Sequence, residues 1–202
     1  MRVSRCVRCT TFPCRDVRHE SYVVPSIAIR PDNIRIVLIS ECAPASPSDH
    51  YYAGGNSLFQ RTTVQAFNDA GADALSVRDL VSMGVYLTTA VKCAKTSYGI
   101  ETRTIQECSV LLERELALFP NAEVLLLMGD VAVKAINSIA VRAGEGRVIP
   151  AIPAYKLRGR KFEFRGMRAF PSYLQAGPSF FIEKSKRGMI AEDIAAALEL
   201  VR

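Results

Sequence analysis

The sequence lacks the segments that would anchor a chain in a membrane or direct it out of the cell. No apolar run approaches the roughly 18 residues that a membrane-spanning helix needs, and the start, Met-Arg-Val-Ser-Arg-Cys, has no apolar signal core. Internal repeats, low-complexity stretches and a linker to a second domain are also missing. We therefore expect one cytoplasmic domain spanning residues 1–202.

The cysteines and the charge narrow the choice of function. Disulfides are rare in the cytoplasm, so the six cysteines are candidates for metal ligands, reactive thiols or small core residues. Hydrophobic residues make up 49% of the chain, enough for a single core. The net charge of +6 favours a polyanionic partner, although such a surplus also serves solubility alone.

Hydrophobic patterning predicts strands alternating with helices. The strands are apolar throughout, as expected where both faces of a sheet are covered. They are Ile34–Ile39, Val85–Ala90, Val124–Met128 and a short one at Met167–Phe170. Helices are expected from Ser57, from Thr104 (in a Thr104-x-x-Glu107 capping box), from Val131 and at the C-terminus. This order predicts an α/β fold, a three-layer α/β/α sandwich around a four-stranded parallel sheet.

Ligands of such sheets bind beyond the carboxyl ends of the strands. The polar residues at those ends are therefore the candidate site. They lie at Glu41–Pro44, Thr88–Lys92, Gly129–Asp130 and Phe170–Tyr173.

Four sequence pieces then resemble one family. They are Cys6-x-x-Cys9, the loop from Ile39 to Ala45 with its Ala-Pro pair, the run from Val85 to Cys93 with Cys108 after it, and Phe170-Pro-Ser-Tyr173. Together they resemble the uracil-DNA glycosylase superfamily, and within it the iron–sulfur families of bacteria and archaea. The resemblance implies a domain that binds DNA and cuts the N-glycosidic bond of a flipped base.

The resemblance also implies a metal centre. Cys6, Cys9, Cys93 and Cys108 match, in order and spacing, the ligands of the family's four-iron cluster. Thiolates are soft donors that suit iron in a 4Fe-4S cluster, which would attach residues 1–25 to the rest of the domain. Two alternatives remain open, a zinc ion on the same thiolates and no metal at all.

The first loop departs from the family pattern. Where the family reads Gly-Glu-Ala-Pro-Gly, this chain reads Ser-Glu-Cys-Ala-Pro-Ala, with one residue effectively inserted. Either Glu41 or Cys42 takes the position of the family's glutamate, and Pro44 follows. A carboxylate there can orient a water or stabilise the oxocarbenium-like sugar. Asp49 is a second water-positioning candidate, and solvated loop carboxylates are the alternative for both.

Substrate recognition is expected to differ from that of the family. Tyr51 and Tyr52 lie near the position of the aromatic that stacks on a flipped base in the family, and Tyr52 is preferred; a core or surface tyrosine is the alternative. Thr89 stands where the family has an asparagine, and one hydroxyl cannot reproduce the hydrogen bonds of an amide. Phe170 replaces the family's histidine and cannot hydrogen-bond a leaving base, whereas Pro171 and Ser172 suit a loop that presses on the DNA backbone.

Basic residues near the last motif are candidates for the missing charge and for DNA contact. Lys156 and Lys184 are each able to place a positive charge by the leaving base, and Tyr155 is a further candidate. The expected phosphate contacts are Arg158, Arg160, Lys184, Lys186 and Arg187. For any single lysine, phosphate contact or solvation is the alternative.

The sequence therefore predicts a monomeric DNA glycosylase of base excision repair. The main alternative is a catalytically silent member that only binds nucleic acid, which Thr89 and Phe170, in place of the family's asparagine and histidine, support. A nucleotide-processing hydrolase on the same sheet is the third reading.

Overall fold

The structure is a computed structural model that describes residues 1–153 and 156–202 in full and the backbone alone at 154 and 155. The strands are β1 (Val17–Arg18), β2 (Ile36–Cys42), β3 (Val85–Val91), β4 (Ala94–Lys95), β5 (Val124–Met128), β6 (Phe162–Phe164) and β7 (Met167–Ser172). The helices are α1 (Leu58–Asp69), α2 (Val77–Ser82), α3 (Thr102–Leu116), α4 (Asp130–Arg142), α5 (Ala154–Leu157), α6 (Ser179–Ile182) and α7 (Lys184–Glu199).

The central sheet confirms the predicted α/β class and adds one strand. Its order is β3-β2-β5-β7-β6, and every pairing is parallel except that of β6 with β7. The four parallel strands are the predicted ones, whereas the antiparallel edge strand β6 was not predicted. It has only three residues in a basic stretch, too few to give an alternating pattern. Arg165 and Gly166, both with positive φ, turn the chain back into β7.

Apolar cores cover the two faces of this sheet. On one face α3 and α4 pack against side chains such as Val37, Ile39 and Leu125. On the other face α1, α2 and α7 pack against Leu38, Leu87 and others. The alternation of side chains along each strand puts consecutive residues on opposite faces, so each strand serves both cores. The result is the predicted three-layer sandwich.

Three strands run further than the sequence suggested. Strand β2 continues to Cys42 because Ser40 pairs with Thr89 and Cys42 with Val91, so that β3 also extends by one residue beyond Ala90. Strand β7 continues to Ser172, which pairs with Met128. The loop expected directly after Phe170 is therefore wrong, since Pro171 and Ser172 belong to the strand.

The helix starts were predicted with mixed success. Ser57 is the N-cap of α1, and its hydroxyl accepts the N–H of Gln60. The capping box expected at Thr104 is wrong, because α3 starts at Thr102 and the Thr104 hydroxyl instead donates to Asp16 of the N-terminal segment. Tertiary contact here overrides the local motif.

The N-terminal segment lies against the start of α3 and the end of β3. Strand β1 pairs antiparallel with β4, and the Val23 N–H donates to the Lys92 carbonyl at 2.8 Å. Val3, Val7 and Val17 are buried in the core on the α3 face. The segment is thus held by backbone pairing and by apolar burial. Within the described residues, no helix is both long and apolar enough to span a membrane.

Candidate functional site

A buried ionic network stands directly behind the end of β3. Lys92 and Glu115 form a salt bridge with both side chains fully buried. The Lys92 ammonium also donates to the Thr88 hydroxyl at 2.8 Å and to the Thr89 carbonyl at 2.6 Å. Glu115 in turn accepts from the hydroxyls of Tyr86 (2.5 Å) and Thr88 (2.8 Å). Because every partner is fixed, the network holds the backbone at the edge of the candidate site.

Sequence reasoning missed this network. The sequence placed Lys92 at the polar end of a strand, within the candidate site, and it gave Glu115 no role. Both side chains can be buried only because they meet between β3 and α3, since a buried charge needs a partner and hydrogen bonds.

On the opposite face of the sheet, unpaired polar atoms gather around Tyr51. Within the described residues, the buried side-chain atoms without a hydrogen-bond partner are His50 Nε2, Thr89 Oγ1 and Gln175 Oε1. The Gln175 amide donates to the Tyr51 hydroxyl at 2.9 Å, and the His50 and Tyr51 rings lie 5.3 Å apart. Tyr51 also bonds Ser40, which is the cross-strand neighbour of Thr89.

This arrangement, which we call the Tyr51 cluster (Ser40, His50, Tyr51, Thr89 and Gln175), differs from a satisfied core network. Buried polar atoms are normally paired, and each exception costs about 1–3 kcal/mol. The unpaired atoms offer a carbonyl acceptor, a hydroxyl and an imidazole nitrogen. That set matches the mixed donors and acceptors on the edge of a nucleobase.

His50 is neutral in this setting. Burial, together with the nearby positive charge of Lys92, lowers its pKa to about 3. A neutral imidazole carries one donor and one acceptor nitrogen. Histidine occurs only twice in the sequence, and that scarcity in a loop after the first strand was the one available signal for this residue.

Glu41 occupies a different position from the Tyr51 cluster. It follows Ser40 in β2 and therefore points to the α4 face, where it meets the first turn of α4. Burial raises its pKa, while the charge of Lys95 and the Val131 N–H oppose that rise. A Cβ at Gly129 would come within 2.6 Å of a Glu41 oxygen, and Gly129 has a φ of 99°, so this close approach requires glycine.

A groove of about 960 Å³ opens between α3 and α4, and its lining includes Asp130, Lys134 and Leu157. Glu41 projects to the same face of the sheet but does not line the groove. Lys156 is exposed and precedes Leu157 in the chain. The catalytic roles predicted for Glu41 and Lys156 stay predictions.

The other predicted loop residues have structural contacts. Asp49 accepts the Leu58 N–H at the start of α1. The Tyr52 hydroxyl accepts the Leu87 N–H at 2.8 Å on the free edge of β3, and its ring stacks on Tyr86 at 6.3 Å. Both contacts fix the loop that carries His50.

Cys42 and Pro44 border the same region. Cys42 is half-buried. Burial raises the pKa of its thiol, while a hydrogen bond to the Lys95 backbone and the charge of Lys95 oppose that rise. Pro44 is buried after the last pair of β2. Their assigned roles in substrate binding stay predictions.

The final motif is integrated into the sheet. Phe170 is half-buried under the guanidinium of Arg168, 4.9 Å from its ring. Pro171 is buried, and the Ser172 hydroxyl donates to Asp193 of α7 at 2.5 Å. Ser172 therefore ties β7 to α7, and its role in DNA contact stays a prediction.

The predicted DNA-contacting residues divide into two groups. Arg158 bonds Glu192 and Asp193, Arg187 bonds both carboxylate oxygens of Asp69, and Lys186 pairs with Glu183. Arg160 and Lys184 are exposed; the Arg160 guanidinium lies 5.6 Å from the ring of Phe162. The second group is better placed to meet phosphates. The side chain of Tyr155 lies outside the described residues.

The cysteines predicted as metal ligands are only partly gathered. Cys93 and Cys108 are buried in the core on the α3 face, and Cys9 packs against it. Cys6 is exposed, with its thiol 3.9 Å from the Arg2 carbonyl. Within the described part of the chain, no group of three or more His, Cys, Asp or Glu side chains is arranged to hold a metal.

Comparison with known proteins agrees with this architecture. The family model described as the uracil DNA glycosylase superfamily matches residues 28–186. A search of curated proteins found no match. The matched range contains the four parallel strands, the Tyr51 cluster and the groove between α3 and α4. The chain therefore belongs to the uracil DNA glycosylase superfamily.

Proposed function

We propose that the protein is a DNA glycosylase that flips a deaminated or damaged base and hydrolyses its N-glycosidic bond, as the first step of base excision repair. The observation that carries this proposal is the Tyr51 cluster. Its unpaired polar atoms lie at the carboxyl ends of β2 and β3 and just beyond that of β7, where parallel sheets bind ligands. Buried polar atoms of this kind gain the most from a ligand that pairs with them.

The cluster accounts for recognition without the family's asparagine. Gln175 supplies an amide oxygen that accepts a hydrogen bond, and Thr89 supplies a hydroxyl that donates or accepts. His50 replaces the histidine lost at Phe170 in one respect. Its neutral ring can donate a hydrogen bond to a base as negative charge develops on that base.

The reaction needs a water molecule but no covalent enzyme intermediate. Water attacks C1′ of the sugar while the bond from C1′ to the base breaks, and the electron pair of that bond leaves with the base. A carboxylate that orients the water accepts its proton. Glu41 and Asp49 are the proposed carboxylates. Asp49 directly precedes His50 of the Tyr51 cluster, whereas Glu41 projects to the α4 face of the sheet.

The proposal also includes a cofactor, a cellular location and the form of the DNA substrate. Cysteine thiolates between the N-terminal segment and α3 are proposed to hold a 4Fe-4S cluster, whose contribution is to fix that segment in place. Cys93 and Cys108 fit this role because they are buried together beside the segment. The protein is proposed to act as a cytoplasmic monomer on single- or double-stranded DNA, with Arg160 and Lys184 on phosphates.

The test is base release from oligonucleotides carrying uracil, hypoxanthine, xanthine or a mismatch, scored as alkali-sensitive abasic sites. Thr89→Val removes only the unpaired hydroxyl, so we expect base release to fall at least tenfold while the free energy of unfolding does not decrease. The matched control is Thr62→Val, since the buried Thr62 hydroxyl already bonds the Leu58 carbonyl at 2.9 Å. That variant should keep its activity.

Two results would contradict the proposal. Unchanged base release by Thr89→Val would remove the Tyr51 cluster from recognition. Silence across the panel, with oligonucleotides still bound at low salt, would favour the catalytically silent nucleic-acid-binding protein that Phe170 also suggests.

A further inference from the structure

The fourth cysteine at the proposed metal site is not the one that the sequence motif suggests. Cys14 packs, together with Cys9, against the core that contains Cys93 and Cys108. Cys6, the first residue of the Cys-x2-Cys pair, is exposed and faces the Arg2 carbonyl. Burial thus separates Cys6 from the other four.

The end of β3 brings two of these thiols together. The Lys92 N–H donates to the Cys108 sulfur at 3.4 Å, and Cys93 is the next residue in the chain. Thiols grouped in this way can supply soft thiolate ligands to iron.

Hydrogen bonds of the following residues place Cys14 near Cys93 and Cys108. Two residues after it, Asp16 accepts the Glu101 N–H at 2.7 Å and also bonds the Thr104 hydroxyl. Thr104 lies one helical turn before Cys108 on α3, so the two share a helix face. The pairing of β1 with β4 follows directly and fixes the chain beside Cys93.

Cys9 is placed by a separate contact. Its N–H donates to the Tyr22 hydroxyl at 2.9 Å. The next residue after Tyr22 is Val23, which donates its N–H to the Lys92 carbonyl at 2.8 Å. These two contacts hold Cys9 near the end of β3.

We propose that Cys14, and not Cys6, completes a four-thiolate ligand set with Cys9, Cys93 and Cys108. The inference rests on the cofactor named under the proposed function, but not on glycosylase activity. The pairs that supply the ligands become Cys9-x4-Cys14 and Cys93-x14-Cys108. Within the described residues, no three such side chains are arranged to hold a single metal ion; a 4Fe-4S cluster differs in that each of its four thiolates binds a separate iron.

Metal content of variants purified without oxygen tests the assignment without any DNA. Cys14→Ser and Cys6→Ser form a matched pair, because each removes one thiol from the same segment. We expect Cys14→Ser to lose at least nine-tenths of the iron and sulfide together with the visible absorption. Cys6→Ser should keep the wild-type content.

Thiol labelling keeps the test valid if Cys14→Ser fails to fold. In the metal-loaded wild-type protein, iodoacetamide should label Cys6 and leave Cys14 unlabelled, and oxidative removal of the cluster should expose Cys14 to labelling. Loss of iron in Cys6→Ser, with or without loss in Cys14→Ser, would overturn the proposal. So would early labelling of Cys14, or wild-type protein that carries zinc or no metal.

Discussion

The salt bridge between Lys92 and Glu115 leads to the sharpest prediction about stability. Glu115 accepts hydrogen bonds from Tyr86 and Thr88 as well as from Lys92, and it is fully buried. Glu115→Gln keeps the shape but leaves the Lys92 ammonium buried without a countercharge. Removing one partner of a buried pair costs about 3–5 kcal/mol. For a chain of this size that loss corresponds to a fall in Tm of roughly 6–20 °C.

Urea denaturation followed by circular dichroism measures this loss. Glu113→Gln is the matched control on the same helix, because Glu113 is partly exposed and pairs with Arg142 and Arg165. That variant should lose no more than about 1 kcal/mol. The double variant Lys92→Met, Glu115→Leu should recover part of the stability, because it removes the unpaired charge, while the hydroxyls of Tyr86 and Thr88 lose their acceptor. A loss below about 1 kcal/mol for Glu115→Gln would refute the reasoning.

Further predictions concern pH, the backbone and salt. The pKa of His50, about 3 in the folded protein, lies below that of an unfolded histidine, so the unfolded state binds the extra proton. The free energy of unfolding should therefore fall by about 2 kcal/mol from pH 7.5 to 5, and His50→Gln should lack that share of the slope in urea titrations at each pH. Gly129→Ala should destabilise the protein by about 1 kcal/mol or more and displace Glu41, which would lower base release at unchanged DNA affinity. Lys184→Ala should reduce the salt slope of DNA binding by the equivalent of about one phosphate contact. Arg187→Ala should chiefly lower the free energy of unfolding, because Arg187 is bonded to Asp69. Equal salt slopes for Lys184→Ala and the wild-type protein would count against the phosphate contact.

Much of the sheet was predictable because its strands carry their own signal. A run such as Val124–Met128, apolar at every position and bounded by polar residues, has few other ways to bury its side chains, and the structure places β5 at that range. Strand β6 escaped prediction because three residues are too short for a pattern. Its pairing with β7 depends on the turn at Arg165 and Gly166.

The site was harder to predict because its residues come from distant parts of the chain. Tyr51, Tyr52 and Thr89 were identified as candidates from their positions in the sequence, whereas His50 and Gln175 were not assigned roles. Gln175 lies 124 residues from Tyr51 in the chain, and it bonds Tyr51 where the segment after β7 meets Thr63 of α1. No local pattern marks such a pair.

The sequence by itself determined the fold class, the family and the strand ends where chemistry belongs, because apolar runs and motif spacing are local properties. Tertiary structure decided the rest. It placed Glu41 and Thr89 on opposite faces of the sheet, it paired Lys92 with Glu115, and it grouped Cys14 rather than Cys6 with the buried cysteines. The physical reason is common to all three. Burial and hydrogen bonding depend on which surfaces meet, and spacing along the chain does not specify that.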